Sequence, residues 1–175
     1  YYAPFKGDPL YRGYPSVPRE ELLRQVSGLY ERRIQVAIHC NGDASIDDGL
    51  DAIEAAMKAH PWPDARPLII HAQMTRLDQI ERMAALGVTP SFFSAHTYYW
   101  GDRHAAIFMG PGRAANMSPA RWALEAGVRF SSHLDTPVTP MLPLQAVWSQ
   151  ISRESTAGVV IGPEQRIDRT SALRA

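Results

Sequence analysis

The feature that most constrains the fold of this sequence is its regular alternation of helix-patterned segments with short apolar runs that show no polar alternation. Residues 19–33, REELLRQVSGLYERR, follow Pro18, carry Glu20 and Glu21 in the first turn, and space Leu22, Leu23, Val26 and Tyr30 along one helical face. IQVAIHC, residues 34–40, is rich in Ile and Val and reads as a strand buried on both sides. Residues 45–59 return to a helical period through Ile46, Leu50, Ile53 and Met57 and stop before His60-Pro61-Trp62-Pro63. PLIIHAQ, residues 67–73, is a second strand. Thr75 and Asp78 suggest a capping box for the next helix, which turns Leu77, Ile80 and Met83 inward and ends at Gly87 as its C′ residue before a third strand, VTPSFF. A long loop through His96, Tyr99, Trp100 and Arg113 leads to Ser118-Pro119, read as an N-cap with proline at N1. The short helix it opens ends at Gly127 before a fourth strand, VRFSSHLD.

Helices alternating with buried strands give an α/β fold on a parallel sheet, either an open doubly wound sheet or a barrel. Neither a GxGxxG fingerprint nor a Gly-rich phosphate loop ending in Lys-Ser/Thr is present, which removes the main support for the open nucleotide-binding versions. Spacing favours the barrel. His39 and His71 are 71 − 39 = 32 residues apart, and His71 and Asp135 are 135 − 71 = 64 apart, with one strand and His96 between them. One βα unit of a (β/α)₈ barrel of about 250 residues is roughly 31 residues long, so these groups fall at the ends of strands n, n+1 and n+3 and face one mouth. At 175 residues the chain is well short of a barrel, and the expected fold is a partial (β/α)₈ barrel of about four strands with their helices.

Two imidazoles and a carboxylate at C-terminal strand ends form an N/O donor set suited to zinc, iron or manganese. Charge adds no competing reading. Lys plus Arg equals Asp plus Glu at 18 each, so no net field favours nucleic acid or an anionic membrane, and a small-molecule partner is expected. No apolar run approaches the roughly 18 residues of a membrane span. The single cysteine, Cys40, excludes an intramolecular disulfide and, following His39 in a strand, points to the opposite face as a buried small apolar group. With no secretory leader pattern near Tyr1, a cytoplasmic setting is expected. The first residues have neither a start methionine nor helical periodicity, so the chain is expected to begin inside a longer protein.

The segments IHCNGDASID (38–47), IIHAQM (69–74), SAHTYYWGDRH (94–104), HLDTPVTPMLPL (133–144) and GPEQRI (162–167) together resemble the N-substituted formamide deformylase-like branch of the amidohydrolase superfamily, in nearly the whole chain. The resemblance implies strands five to eight of a TIM-type barrel that hydrolyses carbon-nitrogen bonds other than peptide bonds, often with zinc. It implies that His39 and His71 bind metal, that Asp135 binds metal and acts as general base, and that His96 and Arg113 face an amide-type substrate. The branch's HxH pair, its strand-four lysine or glutamate and its small β-sandwich are expected outside this chain. Ile70 stands where the branch usually has Glu, and His133-Leu134 where it has Gly-Ser, so His133 is a second imidazole able to tune or replace part of the site.

Other groups have two readings each. Asp43 either caps the helix that follows it or orients His39. Tyr98, Tyr99 and Trp100 either line a substrate pocket or pack their loop onto the barrel. Arg113 grips a substrate carbonyl or carboxylate, or is solvated, while His60 and His104 are read as structural. The functional alternatives are a non-catalytic ligand-binding half-barrel and a lactonase or phosphotriesterase-like hydrolase on the same scaffold. Four strands leave two sheet edges and an apolar inner face open, which predicts self-association or the presence of the remaining half of the barrel.

Overall fold

A computed structural model describes Tyr11 and residues 13–175; most of the Pro-, Gly- and Tyr-rich opening stretch lies outside the described residues. Four parallel strands, β1 (Ala37–Cys40), β2 (Leu68–His71), β3 (Thr89–Phe92) and β4 (Ser131–Ser132), form one sheet in the order β1-β2-β3-β4. Ala37 pairs with Leu68, Leu68 with Thr89 and Ser91 with Ser131. Each strand lies beside the next in sequence, with no reversal of strand order of the kind that marks a doubly wound sheet, which is the arrangement of part of a (β/α)₈ barrel.

Helices α1 (Arg19–Glu31), α2 (Asp43–Ala59) and α3 (Leu77–Leu86) form the outer layer. Their inward residues Val26, Tyr30, Ile46, Leu50, Ile53, Ile80 and Met83 join Cys40, Ile69 and Phe92 in the main apolar core. Gly49 allows α2 to approach the sheet, since a Cβ there would lie 3.0 Å from Ile69 Cδ1 and 3.1 Å from Cys40 Sγ. Across the outer surface Arg19 pairs with Asp48 and Asp51, and Arg82 with Asp51 and Glu54, tying α1 and α3 to α2. Gly87 adopts φ 65° at the end of α3, the left-handed conformation expected of it.

Four local expectations are corrected. The start of α3 is fixed by Gln79, whose Oε1 accepts the Arg76 amide at 3.0 Å, while Thr75 donates its hydroxyl to the Ala72 carbonyl instead. The expected long loop is largely helical: α4 (Ala95–Arg103) runs into a π-helical turn (His104–Phe108), and α5 (Pro111–Ala115) follows. Ser118 has φ 48° and its hydroxyl has no partner among the described residues, so it does not cap α6 (Ala120–Glu125); Pro119 occupies the cap position. Of VRFSSHLD only Ser131 and Ser132 are ladder-paired.

The C-terminal part, with α7 (Pro143–Ser152) and α8 (Arg169–Arg174), is held by one buried cation. Arg153, 2 % exposed, donates through Nε to the Ile161 carbonyl (2.7 Å) and through Nη2 to those of Ala115 (3.2 Å) and Met117 (2.9 Å). Burial pulls its pKa down to about 10, and the nearby Arg166 adds to the effect. Gly162 of the GPEQ segment lies against the Ala115 carbonyl, where a Cβ would come within 1.8 Å of the oxygen, and Gln165 donates to Asn116 Oδ1. Among the described residues, no helix is long and apolar enough to cross a membrane.

Candidate active site

A cleft of about 400 Å³ opens at the C-terminal ends of the strands. His39 on β1, His71 at the end of β2 and Asp135 just past β4 line it together with His96 of α4, so the residues whose spacing places them at one mouth do share it. The backbone at this rim is unusual. His71, Ala72 and Asp135 have φ of 71°, 47° and 54°, a left-handed conformation that costs a non-glycine residue about 1–2 kcal/mol.

Among the described residues, His71, His133 and Asp135 bring donor atoms together, all within 4.8 Å of one another. His133 Nε2 stands 3.1 Å from His71 Nδ1, and its other ring nitrogen meets Ser91 Oγ at 3.0 Å, with Ser131 donating to Ser91 in turn. Of the two roles the sequence leaves open for His133, tuning the site or replacing part of it, this position among the donor atoms favours the second. Two nitrogens each about 2.0–2.1 Å from one zinc ion are separated by about 3.0–3.4 Å at ordinary coordination angles, so the pair fits a shared cation. His39 stands beside this group with its ring centroid 4.5 Å from that of His71.

Burial, with the neighbouring His39 and His133, lowers the His71 pKa to about 4. Burial, with His104, His71 and His133, lowers that of His96 to about 3. His133 and His104 are lowered by burial as well, Asp135 opposing the effect at His133. These four rings are neutral at pH 7, the form in which an imidazole offers a lone pair to a metal.

Several expectations are redrawn. Trp100 lines the cleft, but Tyr99 does not; its hydroxyl donates to Gln145 Oε1 at 3.0 Å while its ring packs on Tyr98 and Trp100. Arg113 is also absent from the lining, because it turns back and donates from Nε to the Met109 carbonyl. Asp43 is the first residue of α2; its Oδ1 accepts the Ala44 amide and its carbonyl accepts from Gln79 Nε2, the structural role. His60 remains outside the cleft, whereas His104, read as structural, lines it with Nε2 3.1 Å from Gln73 Nε2. Asn41, Phe93, Arg103, Phe108 and Val138 complete the lining and were not singled out from sequence. A usable signal existed for His104, which lies eight residues after His96, two helical turns along the same face.

The profile of the Amidohydrolase family matches residues 2–175. The N-substituted formamide deformylase of Arthrobacter pascens is 31% identical over 142 residues, 81% of this chain and 26% of that protein. The putative amidohydrolase YtcJ of Bacillus subtilis (strain 168) is 28% identical over 158 residues, 87% of this chain and 28% of that protein. The chain thus spans roughly a quarter of the length of these curated relatives. Among solved structures, an uncharacterized metal-dependent hydrolase from Pyrococcus horikoshii OT3 superposes with a TM-score of 0.79 at 27% identity, over 98% of this chain and 34% of the other. One from Pyrococcus furiosus superposes with a TM-score of 0.78 at 24% identity, over 98% and 33% respectively. The parallel sheet in sequential order, the donor group at its C-terminal rim and the full-length profile match have one reading: this chain belongs to the amidohydrolase family.

Proposed function

We propose that residues 1–175 form the C-terminal half, strands five to eight, of a metal-dependent (β/α)₈ hydrolase that cleaves carbon-nitrogen bonds other than peptide bonds in small amide or N-formyl substrates. The observation that carries this reading is the convergence of His71, His133 and Asp135 donor atoms within 4.8 Å at the sheet's C-terminal rim. The open inner face agrees with it, since Ala37 and His39 are exposed and Leu68 and Ile70 only half-buried, as residues awaiting the rest of a barrel would be.

His71, His133 and Asp135 would hold the cation, with His39 beside them. A divalent ion bound there, zinc by preference and iron or manganese with the same donors, would acidify water toward neutrality and polarise a carbonyl. Asp135 accepts the proton of the attacking water on its carboxylate and returns it to the leaving nitrogen, so carboxylate and proton balance over the cycle. His96, whose Nδ1 has no partner among the described residues, donates to the carbonyl oxygen as negative charge builds there. Trp100 and Phe93 cover the apolar part of the substrate and exclude water from the reacting atoms.

The test is metal analysis of the full natural polypeptide, followed by turnover of N-formyl amides. About one or two equivalents of metal are expected, and Asp135→Asn is expected to lower kcat by about 10²–10⁴. Metal-free protein that binds no zinc and cleaves no amide would return the chain to a ligand-binding role.

A further inference from the structure

One wall of the cleft carries a cation, Arg103, that the chemistry above does not use. Trp100, Arg103, His104 and Phe108 all come from α4 and its π-helical continuation. In a straight α-helix, at 3.6 residues per turn, Phe108 would lie about 120° around the axis from His96. The π turn takes up an extra residue and returns Phe108 to the face that His96 and Trp100 present to the cleft. The result is an exposed arginine, Arg103, that shares the cleft wall with an indole and with a phenyl ring that is 44% exposed.

Among the described residues the ion pairs are made by other arginines and by Lys58, and no hydrogen bond engages the Arg103 side chain. Asp135 supplies the carboxylate of the lining and belongs to the donor group, so Arg103 faces the cleft with no anion of its own. A planar guanidinium matches a carboxylate through two parallel hydrogen bonds, and the Trp100 and Phe108 rings on the same wall offer apolar cover for the carbon skeleton that carries it. We propose that Arg103 is a specificity-determining residue that selects amide substrates bearing a carboxylate next to an apolar group, with Trp100 and Phe108 covering that group. The inference rests on the amide-hydrolase reading above and supplies its substrate class.

The experiment compares N-formylphenylalanine with its neutral carboxamide on the full natural polypeptide. It reads the ratio of kcat/KM for the metal-loaded protein and the ratio of affinities for the metal-free protein by calorimetry. Both substrates are measured on one preparation, so any misfolded fraction cancels. The wild type is expected to favour the carboxylate by about ten- to a hundredfold, the worth of a charge-assisted pair of hydrogen bonds. Arg103→Met is expected to bring both ratios close to one, and Arg103→Lys to leave an intermediate preference. A wild type without preference, or an Arg103→Met protein that keeps it, overturns the proposal. An Arg103-dependent affinity ratio with no cleavage of either compound supports the proposal and refutes the hydrolase reading for these amides.

Discussion

Replacing Gly162 by alanine isolates a close backbone approach that holds the C-terminal part of the molecule. Gly162 has φ 62°, and an added Cβ would stand 1.8 Å from the Ala115 carbonyl oxygen and 2.5 Å from its carbon. The left-handed backbone alone costs a residue with a side chain about 1–2 kcal/mol. The overlap must be relieved by moving main chain, not a flexible side chain, which adds about 1–3 kcal/mol. Gly162→Ala is therefore expected to destabilise by about 2–5 kcal/mol. Gly87 supplies the control, because its φ is 65° and nothing lies within 4 Å of its missing Cβ, so Gly87→Ala pays the conformational part only. In urea, with a slope of about 2 kcal/mol per molar, the midpoint should fall by about 1–2.5 M for Gly162→Ala and by about 0.5–1 M for Gly87→Ala. The two variants are compared in the full natural polypeptide by circular dichroism. Equal shifts would refute the steric argument, since they would leave only the shared backbone term.

Other expectations concern single side chains. Arg153→Leu removes the donor that serves the Ile161, Ala115 and Met117 carbonyls and should cost about 3–5 kcal/mol in the same unfolding assay. Ser91→Ala leaves His133 Nδ1 without its partner and should weaken zinc binding by about 10- to 100-fold in a chelator competition, with little change in melting temperature. Cys40 is buried and its thiol is pushed up to about 12, chiefly by burial and further by Asp48. A raised thiol pKa means less thiolate at any lower pH, about one part in ten thousand at pH 8, so Ellman's reagent should react with native protein far more slowly than with urea-unfolded protein.

The parts of this fold legible in the sequence are those where side-chain pattern and burial coincide. Ile46, Leu50 and Ile53 announce α2 because they face the core, and the 32- and 64-residue intervals place His39, His71 and Asp135 at one rim because each βα unit repeats the same path. The segment after β3 was unreadable for the opposite reason. Its repeating face, His96, Trp100, His104 and Phe108, mixes imidazoles with aromatic rings and is turned to the cleft, so no continuous apolar stripe marks it as helical. Gly101, which looks like a helix breaker, is needed because a Cβ there would meet Ile161 Cγ1 at 2.9 Å. Arg113 and Arg103 could not be ranked by composition, since only the geometry shows one donating to its own turn and the other lining the cleft. His133 stood out in the sequence as a second imidazole beside Asp135, but only the geometry shows its ring nitrogen meeting that of His71.

The brevity of β4 bears on how the site comes into being. His71 is in place once β2 has joined β1, but His133 and Asp135 follow a strand of two residues that is ladder-bonded to β3 alone among the described residues. The donor group is thus complete only when this two-residue strand is docked on β3. A cation bridging His71 to His133 and Asp135 would clasp β2 to that margin across the intervening strand, converting binding energy into resistance of the sheet to fraying.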